Sequence, residues 1–166
     1  YVQTLGNSYS SFVDTMNNYY IINHAHIYKG TSFTNYAGAT VNDALILGDD
    51  SLNTYFENVV NESIVDGRIF DINTREFSNT SSGSINMLLA DKVKVDLNAE
   101  EISSFVNDGS FIIQKISGEA VGLEITSKEA QINNGGTIDV AFNKVITDYE
   151  NSAYYEGVNI SSKENH

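Results

Sequence analysis

The chain contains no cysteine, no proline and no tryptophan, and only two arginines in 166 residues. Without cysteine there is no disulfide scaffold, no thiolate zinc site and no cysteine nucleophile. Basic residues are scarce: 9 Lys and Arg stand against 22 Asp and Glu, a net charge of −13 with His neutral. That field repels phosphate backbones, so nucleic acid is not an expected partner. No apolar run approaches the roughly 18 residues of a membrane-spanning helix. The chain opens on Tyr1 with no Met and no signal-peptide pattern. Any membrane attachment is therefore expected only through a missing N-terminal segment. No P-loop, Gly-x-Ser-x-Gly elbow or dinucleotide fingerprint occurs, and neither an enzyme nor a cofactor is expected.

What is abundant is Asn (20), Ser (18), Ile (17) and Tyr (10). Short polar side chains bond the backbone locally and populate turns, whereas Ile and Tyr favour strands. No linker composition and no repeat of fixed period divides the chain. It reads as one domain, 1–166: an N-terminal helix over 1–28, a connecting region over 31–63, a mainly β region over 64–146 and a C-terminal segment over 147–166.

The helix rests on Val2, Leu5, Tyr9, Phe12, Met16 and Tyr19, spaced 3, 4, 3, 4, 3 and joined by Val13. At 100° per residue they fall on one arc, with polar residues filling the rest. These seven side chains form the expected packing and assembly face. Leu52, Tyr55, Phe56 and Val59 recur at similar spacing and predict a short helix near 51–62. Asn98 and Glu101 resemble capping residues for another at 99–106. From residue 63 the period becomes two, as in Ile85-Met87-Leu89 and Val93-Val95-Leu97. Asp66-Gly67 and Asn134-Gly135 read as hairpin turns. The expected fold class is α+β: a long amphipathic helix packed on an antiparallel sheet.

Chemical constellations are thin. His24 and His26 lack a third ligand at recognisable spacing, and so predict no metal site. Asp49-Asp50 and Asp108-Gly109 do not space oxygens as a calcium loop requires. Glu124 and Asp139 alternate outward on predicted strands, so a carboxylate hydrolase is only a third reading. Three glycosylation sequons begin at Asn61, Asn79 and Asn159. Lys92 is a conceivable partner for an intramolecular isopeptide.

The order of elements resembles the soluble part of a type IV pilin or minor pilin. In that family a long N-terminal helix packs its amphipathic second half on an antiparallel sheet, and here residues 2–19 would be that half. The family's leader and apolar helix start would lie before Tyr1, and its frequent C-terminal disulfide has no counterpart. The resemblance implies an extracellular, cell-surface filament subunit with like or related subunits as partners. The alternative is a surface adhesin or phage tail receptor-binding module, with Tyr36, Tyr55, Tyr154 or Tyr155 meeting a surface ligand.

Overall fold

Where the sequence predicts a helix, the inward side chains fall into short strands broken by turns. The computed structural model describes residues 6–10, 13–97, 102–117, 121–142 and 156–162. Its elements, rung by rung, begin with β1 (Gly6–Ser10) and β2 (Val13–Asn18), followed by β3 (Ile21–Ile27) and β4 (Gly30–Asn35). Next come β5 (Thr40–Leu47), a single 3-10 turn (Asp50–Leu52) and β6 (Phe56–Asn61). The fourth rung holds β7 (Ile64–Asp66) and β8 (Ile69–Asn79); the fifth holds β9 (Ser84–Ala90), β10 (Lys92–Leu97) and β11 (Ser103–Asn107). The last rungs are β12 (Ser110–Lys115), β13 (Val121–Ser127) and β14 (Ala130–Asn134), then β15 (Thr137–Phe142) and β16 (Glu156–Ser162).

Every strand-to-strand ladder is parallel, and each strand pairs with its counterpart one rung along the chain. The chain thus coils into a three-faced parallel β-solenoid. Face one stacks the starts of β3 and β5 with β7, β9, β12 and β15. Face two stacks β1, the ends of β3 and β5, the start of β8, then β10, β13 and β16. Face three stacks β2, β4, β6, the end of β8, β11 and β14.

The interior is built of columns, two of which run out to exposed residues, Ile132 and Ile160, because side chains of equal register lie one rung apart, about 4.8 Å. Met16, Phe33, Val59, Phe77, Phe105 and Ile132 form one column on face three. Ile22, Val41, Val65, Ile85, Phe111 and Ile138 form another on face one. Ile27, Leu47, Ile72, Val95, Ile125 and Ile160 form a third on face two. Phe77 links two columns, stacking on Phe105 (centroids 5.2 Å apart) and meeting the edge of Phe70 (5.8 Å).

One corner, between faces three and one, is polar inside. Asn18, Asn35, Asn61, Asn79, Asn107 and Asn134 form a continuous ladder. Each Nδ2 donates to the next Oδ1 at 2.8–2.9 Å. The second N–H of most rungs goes to the carbonyl that begins face one in the next coil, as from Asn79 to Ser110 and from Asn107 to Thr137. Asn35, Asn79 and Asn107 are fully buried, and the ladder satisfies amides that would otherwise cost stability there. Gly109 lets two such corners touch: a Cβ on it would sit 2.3 Å from the carbonyl oxygens of both Gly83 and Thr80.

Several expectations fall here. The helix over 1–28 is replaced, across its described part, by β1 to β3. The helix near 51–62 is one 3-10 turn followed by β6, and residues 103–106 of the 99–106 helix lie in β11. The antiparallel sheet is parallel throughout, so the α+β class does not hold. The type IV pilin resemblance and its filament vocabulary fall with it, since no helix packs on the sheet among the described residues. Asp66-Gly67 and Asn134-Gly135 are turns, but the first joins neighbouring faces of one coil and the second leads from one coil to the next, and neither joins two antiparallel strands. The false helical period arises because each short strand places two or three residues inward and then a corner interrupts the count.

Candidate functional site

A cluster of charged side chains lies on the outside of face two. Inward residues there are apolar, so the alternate positions project outward. Those positions form the column His26, Ile46, Asp71, Lys94, Glu124 and Asn159, one residue per rung. Two adjoining clefts open along it. One, about 510 Å³, is lined by Asp91, Lys92, Val93, Lys94, Lys115, Val121 and Glu124. The other, about 410 Å³, is lined by His26, Ile46, Asp71, Asn73, Lys92, Lys94 and the segment from Gly48 to Ser51. Lys92 and Lys94 line both, so the two clefts are neighbours that meet at these lysines along the solenoid axis, together the face-two groove.

Local chemistry holds the walls. Asp49 caps the 3-10 turn by accepting from the Ser51 backbone N–H at 2.9 Å and from its hydroxyl at 2.6 Å. Those bonds hold its carboxyl below the usual range. Gly48, at φ +75°, permits the approach of this loop to Asn73, since a Cβ would lie 2.6 Å from the Thr54 carbonyl oxygen. Lys92 donates to Asp71 at 2.8 Å. Lys115 is buried with its ammonium on the Asp91 carbonyl. Two positions further along the same outward side of these strands, Asn73, Asp96 and Thr126 share a register and are all buried. Asn73 Nδ2 donates to the Leu47 carbonyl at 3.2 Å, while Asn73 Oδ1 has no hydrogen-bond partner among the described residues.

At the corner between faces one and two, Asp43 sits at φ +67°, a conformation uncommon outside glycine. The bend turns its carboxylate to His24 (Nδ1 to Oδ2, 3.2 Å) and to the Arg68 Nε donor (3.1 Å). The hydrogen bond with His24, followed by that with Arg68, holds the Asp43 carboxyl below its ordinary value. His26 moves down from 6.5, first because burial penalises the imidazolium and second because His24 is near. Its native form therefore binds fewer protons than the unfolded chain, and its contribution to stability is full above pH 6.5 and falls as pH drops below that. We expect the His26 ring to titrate below 6.5 in a proton NMR series. His26→Gln should flatten the loss of stability measured between pH 7 and 5.

The sequence-predicted residues scatter. Met16 lies in the face-three column, whereas Tyr19 is exposed on a corner and stacks on Tyr36, with centroids 4.7 Å apart. Tyr9 and Val13 fall in β1 and β2; Val2, Leu5 and Phe12 lie outside the described residues. His24 and His26 both face outward, and among the described residues no group of three His, Asp or Glu is placed to hold a metal ion. Asp49 and Asp50 border the groove and Glu124 lines it; Asp139 is exposed on face one. Tyr55 reaches Asp50 with its hydroxyl at 3.4 Å, while Tyr154 and Tyr155 lie outside the described residues. Two sequon asparagines, Asn61 and Asn79, are buried rungs of the ladder and unavailable to a glycosyl donor in the folded chain. Sequence reasoning missed Asp71, Asn73, Lys94 and Lys115; a signal existed for Lys94 alone, in the Lys-Val-Lys alternation at 92–94.

Fold and groove together define a parallel β-solenoid with a charged lateral cleft. No protein family, curated protein or solved structure matches the chain. Among the described residues no helix is long and apolar enough to cross a membrane.

Proposed function

We propose that this chain is a non-enzymatic binding module at a cell or particle surface, an adhesin-type rod whose face-two groove takes an extended glycan. The observation that carries this reading is the adjacency of the two clefts, which share Lys92 and Lys94 along the coil axis. A stack of identical register presents side chains at a regular pitch of about 4.8 Å, which suits a linear polymer better than a compact metabolite. The lining favours sugar over peptide. Its side chains are mainly charged or amide, with Ile46, Val93 and Val121 as the apolar members. The strands beneath are paired on both sides, β10 between β8 and β13, leaving no free edge for an added peptide strand.

Retention on an array of surface polysaccharides tests the proposal. The purified chain should bind at least one glycan saturably. Ile46→Arg, which puts a long side chain into the cleft wall, should abolish retention with an unchanged melting temperature. Retention that is indifferent to Ile46→Arg would remove the groove from the reading.

A further inference from the structure

Resting on that reading, we propose that the groove recognises a zwitterionic glycan, with Lys94 taking the acid group and Glu124 the amine of neighbouring sugar units. Lys94 and Glu124 are register partners on β10 and β13 and line the same cleft. Opposite charges at such positions ordinarily pair. Here neither side chain makes an ion pair or hydrogen bond within the described residues, in a chain where Lys92, Arg68 and Arg75 each hold a carboxylate. The other register neighbour of Lys94, Asp71, is already engaged by Lys92. A cation and an anion are thus left open side by side on a cleft wall. A ligand of one sign would satisfy one and crowd the other, whereas a ligand carrying both signs satisfies both. Wall groups that remain, Asp49 and Asp50, accept hydrogen bonds from sugar hydroxyls.

The test uses four hexasaccharides of equal length in calorimetry with the full chain. They are de-N-acetylated hyaluronan, which alternates amine and carboxylate; hyaluronan itself, anionic only; chitosan, cationic only; and maltohexaose, neutral. The expected result is binding of the zwitterion at least tenfold tighter than of the other three, weakened by salt. Lys94→Gln should reduce it to the level of chitosan, and Glu124→Gln to the level of hyaluronan, with circular dichroism melts of both variants matching the parent chain. Equal binding of hyaluronan and the zwitterion, or of the neutral sugar, overturns this inference and leaves the glycan-binding reading standing. No binding of any of the four, combined with saturable retention on the polysaccharide array, likewise overturns it alone. Failure on both the array and the calorimeter sinks the two together, and tight binding only of a Lys–Glu alternating peptide replaces sugar by peptide as the occupant.

Discussion

Asn79→Ala should lower the free energy of unfolding by about 2–4 kcal/mol. Asn79 is fully buried, donates to Asn107 Oδ1 at 2.8 Å and to the Ser110 carbonyl at 3.1 Å, and accepts from Asn61 Nδ2 at 2.9 Å. Alanine removes three bonds and strands two acceptors on one side and a donor on the other. Asn134→Ala is the control: Asn134 is the last described rung of the ladder, is exposed, and water replaces what it loses. We expect that variant to cost less than about 1 kcal/mol. Urea denaturation at constant m-value measures both. Equal effects at the two positions would show that the ladder does not carry the corner.

Phe77→Ala should be more damaging still, at about 3–5 kcal/mol. The ring is buried between Val59 and Phe105 in its column and meets Phe70 from the adjacent face. Strands held at fixed spacing by parallel ladders on either side cannot collapse into the void, so little of the loss is recovered. Phe77→Leu keeps most of the volume and should cost less than half as much. A midpoint shift for Phe77→Ala no larger than for Phe77→Leu would mean that the column relaxes around the cavity.

Why so much of this was hidden follows from the same two features. Inward positions 18, 35, 61, 79 and 107 are asparagines, so period-two apolar patterning breaks off at the end of each face-three strand. The reader then sees Met16, skips Asn18 and lands on Tyr19, which is exposed, and a helical arc is completed by residues that point to opposite sides. The repeat is hidden as well, because successive ladder asparagines are 17, 26, 18, 28 and 27 residues apart. Period-two stretches such as Val93-Val95-Leu97 and the presence, though not the hairpin role, of turns at Asp66-Gly67 and Asn134-Gly135 were legible, since each depends on local chemistry. Whether a strand pairs with its sequence neighbour or with one a whole coil away is not local. One-sided burial favours the antiparallel reading, because most parallel sheets are covered on both faces. The groove was illegible for that reason: Lys94, Asp71 and Glu124 are 23 to 53 positions apart in the chain and meet only through parallel register.

The unequal rungs carry a consequence for how such a molecule can change. Pitch is set at the asparagine corner, whose hydrogen bonds count coils and not residues. Chain length also varies away from that corner, as at the segment from Gly48 to Tyr55 that separates β5 from β6 and borders the groove. Residues can therefore be added or removed at that far corner without resetting the stack, and loop closure penalises each addition only weakly. Groove rim and scaffold are mechanically separate in this architecture, so under the proposed binding function the rim is free to diversify while the rod beneath it stays constant.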